Sequence, residues 1–203
     1  VLLTSLTMMV AAVSLARRQV LVQELSAVEG LARVDVVCLD KTGTLTDGQV
    51  VLDRIEDLGG APEDVRTVLA AMADAPDANA TLLAIGAGID AERQGSVEAP
   101  AWEVFGTVAF SSARKWSATT FTGHGSWVIG APEIVGAAIA DPAVAEQAGA
   151  IADTGSRVLL LARSEQAPTD AGLPDDLQAA ALCVLAEQVR PDAAETLAYF
   201  AEQ

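Results

Sequence analysis

One short stretch constrains this chain more than any other. The run Arg33 to Leu39, R-V-D-V-V-C-L, passes directly into the polar turn D-K-T-G-T-L-T-D-G at residues 40–48. A short β-rich apolar run of this kind reads as a strand of a parallel sheet covered on both faces. The turn then stands at the strand's carboxyl end, where open α/β sheets place their ligand sites. A carboxylate at that point, Asp40, is followed by a Gly-containing turn of backbone amides and small hydroxyls. The arrangement suits nucleophilic attack on a phosphoryl group whose oxygens the amides hold. Lys41, together with a bound magnesium ion, would neutralise the charge that such a transfer spreads over those oxygens.

The 203 residues are enough to bury a substantial core, which excludes collagen-like, disulfide-stapled and fully disordered chains. With 51% apolar residues and a mean hydropathy of +0.35, the chain is more hydrophobic than a typical soluble domain and points to membrane-derived sequence. It carries 12 Lys and Arg against 28 Asp and Glu, a net charge of −16. No window offers the clustered basic, aromatic-interleaved surface that a phosphate backbone requires, so nucleic acid is not an expected partner. The only lysines are Lys41 and Lys115, and each falls inside a phosphate-like motif. Cys38 and Cys183 lie in apolar runs without metal or redox spacing, and both read as reduced core residues of a cytosolic domain.

Val1 to Ala16 form an apolar run ended by Arg17 and Arg18, shorter than the roughly 20 residues that a bilayer needs. It lacks a basic leader and a cleavage pattern. It reads as the end of a membrane helix with the paired arginines at a cytoplasmic boundary, or else as a buried core helix. A linker-like helical segment spans Val20 to Leu31, and Gln49 to Leu58 is a second extended stretch. Pro62 opens a helix to about Ala75, and Asn79 to Gly86 reads as another. Beyond Ala101 the pattern changes to aromatic and β-branched runs at Trp102–Phe110, Lys115–Thr122 and Ser126–Ile129. Thr122-Gly123-His124-Gly125 signals a hairpin, hence antiparallel sheet, with His124 as a solvated turn residue. Helices are expected over Ala131–Ala140, Pro142–Asp153 and Asp192–Gln203, and strands over Ser156–Arg163 and Ala179–Val189. The fold class is therefore α/β, a parallel-sheet fragment with an inserted α+β domain built on an antiparallel sheet, and the chain reads as cut at both ends.

A second motif, Phe110-Ser111-Ser112-Ala113-Arg114-Lys115, sets an aromatic face near an amine, able to stack a base and attract phosphate. Taken alone, Phe110 in a core and Lys115 in solvent is the plainer reading. The segment D-K-T-G-T-L-T, however, resembles the phosphorylation loop of the P-type ATPases, ion pumps whose phosphorylation core is of the haloacid-dehalogenase class. That resemblance implies that Asp40 is phosphorylated by ATP, that Asp40 and the main-chain carbonyl of Thr42 are magnesium ligands, and that Thr44 binds the transferred phosphate. Phosphatases of the wider class carry a second Asp two residues after the nucleophile, and here that position is Thr42. Without a group to activate water, an acyl-phosphate persists.

The Phe110–Lys115 motif resembles the nucleotide-domain signature of the same family. Phe110 would stack on adenine and Lys115 would line the ATP pocket, with Ser112 among the nucleotide-binding residues. Gly130-Ala131-Pro132-Glu133 resembles the family's K-G-A-P-E element with Ile129 in place of its Lys, so Gly130 keeps a shape role while a cation is lost. Gly155 to Leu159 resembles the next element, in which Arg157 would reach a phosphate, a surface salt bridge being the alternative. Asn79 stands where the family often has an acidic residue near the adenine, and an amide can hydrogen-bond a base edge. Arg190-Pro191-Asp192 resembles the hinge returning to the phosphorylation core, and Leu25 to Glu29 the stalk of cation pumps.

The resemblance implies an ATP-driven cation transporter of the cell membrane, using ATP and Mg2+, with calcium or a related divalent ion as its cargo. This segment would lie on the cytoplasmic side. Residues 1–18 would end a transmembrane helix, 19–58 form the stalk and first part of the phosphorylation domain, 59–189 the nucleotide-binding domain, and 190–203 the return. The family's later Thr-Gly-Asp and Gly-Asp-Gly-x-Asn-Asp elements do not occur in these residues. The chain by itself is thus expected to bind nucleotide weakly and not to turn over. Two other readings stay open, a soluble dehalogenase-class phosphatase and a non-catalytic nucleotide-binding module.

Overall fold

The computed structural model describes residues 2–24, 26–31, 33–59, 62–92, 102–169 and 172–202. Two compact units divide the chain, Val1–Leu45 with Pro191–Gln203, and Thr46–Arg190.

The larger unit is organised by one six-stranded sheet. Its strands are β1 (Thr46–Asp57), β2 (Val104–Val108), β3 (Trp116–Phe121), β4 (Gly125–Gly130), β5 (Arg157–Ser164) and β6 (Gln178–Val189). They lie in the order β1-β6-β5-β4-β3-β2, and each neighbouring pair is antiparallel. The β3–β4 hairpin turns through Thr122, Gly123 and His124, with Gly123 at φ 77° and Gly125 at φ 73°, a left-handed geometry that glycine adopts at little cost.

Alternation along the central strands sends side chains to two dry faces. Cys183 and Leu185 of β6, Leu161 of β5 and Trp127 and Ile129 of β4 pack with α3 (Pro62–Ala73) and α4 (Ala80–Glu92), through Val68, Leu69, Met72, Leu82, Ile85 and Ile89. Leu182 and Val184, Leu160 and Ala162, and Val128 face the other way. They pack with Val135 of α5 (Pro132–Ile139) and with Val144, Ala148 and Ile151 of α6 (Pro142–Ala152). Leu160, Leu161, Leu182 and Leu185 are fully buried, each stabilising the fold by about 1.5–3 kcal/mol relative to exposure. Burial pushes the Cys183 thiol up to about 12.

The smaller unit contains α1 (Leu2–Arg17), α2 (Ser26–Leu31) and α7 (Ala193–Glu202). Among the described residues no helix is long and apolar enough to cross a membrane.

Several expectations need correction. Residues 33–39 form no strand, and Val34, Val36 and Val37 are exposed. Among the described residues no neighbouring strand offers the ladder hydrogen bonds that a strand requires. The stretch Gln49–Leu58 belongs to no parallel fragment either. As β1 it pairs antiparallel with β6, so the compact sheet unit begins at Thr46 rather than near residue 59. The segment Val20–Leu31 is helical only over Ser26–Leu31, and the helix after Asn79 runs on to Glu92. Cys38 is exposed and only Cys183 is a core residue.

Close packing of α3 on α4 generates a sharp test. A Cβ added at Gly86 would stand 2.5 Å from the Cβ of Ala73. Helix propensity alone favours Gly86→Ala by about 1 kcal/mol, whereas overpacking costs about 1–3 kcal/mol. Gly86→Ala is expected to lower the denaturation free energy, and an unchanged or raised value in urea unfolding would show that the two helices part freely.

Candidate functional site

In the smaller unit the segment after Asp40 is a tight turn. Thr42 at φ −74°, ψ 122° and Gly43 at φ 76°, ψ −6° are the two central residues of a type II turn, whose second position needs the positive φ that Gly supplies. Asp40, Lys41, Thr42 and Thr44 are all exposed, so the Asp40 carboxylate is open to an approaching group. Among the described residues no cluster of three or more His, Cys, Asp or Glu could hold a metal ion. The Asp40 carboxylate and the Thr42 carbonyl are hard oxygen donors of the kind magnesium takes, and waters and substrate phosphate supply the rest of its octahedral shell.

In the sheet unit, five residues from four motifs come together around one cavity of about 410 Å³. Asn79, Phe110, Lys115, Gly130 and Arg157 all line it, with Thr81, Ser117, Ile129 and Leu159. Ser112 is exposed and is not a lining residue. Three strands supply the floor, since Ser117 pairs with Ile129 in the β3–β4 register and Leu159 follows on β5. The start of α4 supplies one wall.

Each polar group is fixed by local geometry. Asn79 caps α4, its Oδ1 accepting from the N–H groups of Thr81 and Leu82, both at 3.0 Å. The cap satisfies two orphan donors of the helix start and leaves the amide NH2 as what Asn79 can offer a ligand. The Phe110–Lys115 turn is closed by the Lys115 N–H donating to the Ser111 carbonyl at 2.8 Å. The Arg114 N–H donates to the Ser111 hydroxyl at 3.2 Å. Lys115 has a left-handed backbone at φ 60°, and its carbonyl accepts from the Ala131 N–H at 3.0 Å. A side chain at Gly130 would stand 2.7 Å from that carbonyl and 2.5 Å from the Trp116 Cβ, so the glycine permits the close approach of β3 and β4 here. Phe110 is 46% exposed, an aromatic face presented at the cavity rather than placed in the core.

Electrostatics single this cavity out. Among the described residues its charged lining side chains are Lys115 and Arg157, with no carboxylate, in a chain whose net charge is −16. Among the described residues Arg157 forms no salt bridge. A second opening of about 700 Å³ runs between β1 and α4 and shares Ala80, Thr81 and Arg157 with the first, but among the described residues it has no aromatic and no second cation.

Motif reading missed three features. Ser117 is a buried polar residue on the cavity floor, which the polar interruption of an apolar strand signals. Glu133 pairs with Lys115 at 3.3 Å, a contact for which spacing carried no signal. His124 is exposed but stacks on Trp102, with ring centroids 3.9 Å apart and planes 10° from parallel, so it is more than a solvated turn residue.

No family model matches the chain. Relatives match along its whole length. A calcium-transporting ATPase CtpE of Mycobacterium tuberculosis is 48% identical over 209 residues, covering 100% of this chain and 25% of that protein. A probable cation-transporting ATPase exp7 of Streptococcus pneumoniae is 38% identical over 207 residues, again 100% of this chain and 25% of the relative. Among solved structures, a zinc-transporting PIB-type ATPase superposes with a TM-score of 0.62 at 24% identity, over 98% of this chain and 29% of that one. The chain thus spans about a quarter of the length of the curated relatives it matches.

The Asn79 cap can be separated from any ligand role. Asn79→Ala should cost about 1 kcal/mol of stability, whereas Asn79→Asp, an equally good cap, should keep it. Equal urea midpoints for wild type and Asn79→Ala would remove the cap from the account.

Proposed function

Because this chain belongs to the P-type ATPases, we propose that it is the part of an ATP-driven cation transporter that holds the nucleotide and carries the phosphorylated aspartate. The observation that carries the reading is the convergence of Phe110 and Lys115, from one motif, and Arg157, from another, on one cavity with no carboxylate among its described lining residues. A purine would lie against the exposed Phe110 ring, over an apolar floor of Ile129 and Leu159, with the Asn79 NH2 in reach of its edge. The phosphates would meet the Lys115 ammonium and the Arg157 guanidinium. The sheet unit is then the nucleotide-binding domain. Residues 1–45 and 191–203 are pieces of the membrane-helix end, stalk and phosphorylation domain, on the cytoplasmic face of a membrane protein.

Asp40 is the phosphoryl acceptor on this reading. A carboxylate oxygen forms a bond to the terminal phosphorus of ATP as the bond to the bridging oxygen breaks, and ADP leaves with that electron pair. The exposed turn position of Asp40 supports this, and Thr42 two residues on supplies no acid or base to activate water against the acyl-phosphate. In the whole protein Mg2+ would add Lewis-acid charge neutralisation. The transported ion is a divalent cation, with calcium favoured by relatives named calcium-transporting.

Titrating a fluorescent ATP analogue against the chain tests the cavity. Phe110→Ala should weaken binding by about 5- to 100-fold, the range that base stacking on an aromatic corresponds to, and Lys115→Ala should weaken it severalfold. Unchanged affinity in both variants overturns the assignment. In the full-length protein, Asp40→Asn should abolish acid-stable phosphate incorporation from ATP, and retained labelling would move the acceptor elsewhere.

A further inference from the structure

Lys115 is held more firmly by its backbone than by its side chain. The N–H and carbonyl of the residue are both hydrogen-bonded, to Ser111 and Ala131, and its left-handed φ of 60° fixes the direction in which the side chain leaves the turn. The ammonium itself makes a 3.3 Å contact with the carboxylate of Glu133, with the two side chains 54% and 61% exposed. An ion pair this open to water is held weakly and screened by salt, so another anion can exchange for it.

Glu133 in turn is anchored. It sits in the first turn of α5, directly after Pro132, which presets the helical backbone, and a carboxylate there is favoured by the helix dipole. Glu133 also lines a neighbouring opening of about 500 Å³ together with Arg157, the second cation of the nucleotide cavity. One carboxylate outside the cavity therefore pairs with one of its cations and shares an adjoining opening with the other.

We propose that Glu133 is a resident counter-anion of the nucleotide cavity, one that competes with the ligand's phosphate oxygens for the Lys115 ammonium. The proposal rests on the nucleotide reading of the cavity. On it, the gain in affinity from adenosine to ATP is smaller than two cations would otherwise give. A chain with a net charge of −16 thereby keeps a cationic pocket from collecting small anions at large.

The test compares ATP and adenosine binding by calorimetry for the 203-residue chain. Glu133→Gln keeps the shape of an exposed residue and removes its charge. It should tighten ATP binding about 2- to 5-fold, the range that exposed ion pairs correspond to, while leaving adenosine unchanged. The gain should shrink in roughly 0.5 M salt, where the screening length falls to a few ångströms, and vanish when Glu133→Gln is made on Lys115→Ala. A gain that persists without Lys115, an equal gain for adenosine, or weakened ATP binding would overturn the proposal. Phe110→Ala separates the two levels of inference. If it weakens both ligands while Glu133→Gln changes neither, only the counter-anion falls, and if it weakens neither, the nucleotide reading falls with it.

Discussion

The structure of the sheet unit depends on the dryness of both faces of β5 and β6. Side chains of residues 158–162 and 181–185 alternate between two cores, and members of both sets are wholly buried. Such strands are unstable unless each face is covered, and the chain supplies one helix pair for each. The cavity follows from that arrangement. It opens where α4 begins and three adjacent strands present Ser117, Ile129 and Leu159, a place where apolar floor and helix terminus meet without a side chain large enough to fill the space.

The same constraint explains what was readable and what was not. The runs Ser156–Arg163 and Ala179–Val189 read as strands and lie within one residue of β5 and β6, and the β3–β4 hairpin is signalled by its glycines. Continuous apolarity reports two-sided burial, however, and says nothing of strand direction. The parallel reading of the run at 33–39, extended to Gln49–Leu58, therefore put that stretch in the wrong sheet, since it pairs antiparallel with β6. The run at 33–39 has the same composition, yet it forms no strand, because composition cannot supply the neighbour with which a ladder is made. Cys38 shares that fate and is exposed, while Cys183, in a run that found its partners, is buried.

At the candidate site, residues whose chemistry is carried by their own type were legible. Phe110, Lys115, Arg157 and Gly130 were named from motif and line the cavity. Asn79 was named as well, but what a neighbour does to a residue was not legible. The oxygen of Asn79 is engaged by two backbone amides of α4, which changes what the amide can offer. Ser112 lies in the same motif as Phe110 and Lys115 but outside the cavity, because the turn that brings its neighbours together leaves it exposed at the turn itself.

Ile129 shows how these effects combine. Replacing a motif lysine with isoleucine removes a cation, and reading charge alone makes that a simple loss. In the fold, Ile129 is 3% exposed and belongs to the core cluster shared with α3 and α4, while its edge forms part of the cavity floor. A lysine ammonium at such a depth would lose its hydration without a carboxylate among the lining residues to pair with. The position thus trades a phosphate contact for apolar area under the ligand. Because exposed cations contribute modestly and apolar contact is proportional to buried area, a nucleotide in this cavity would be held chiefly by its base and only secondarily by its phosphates.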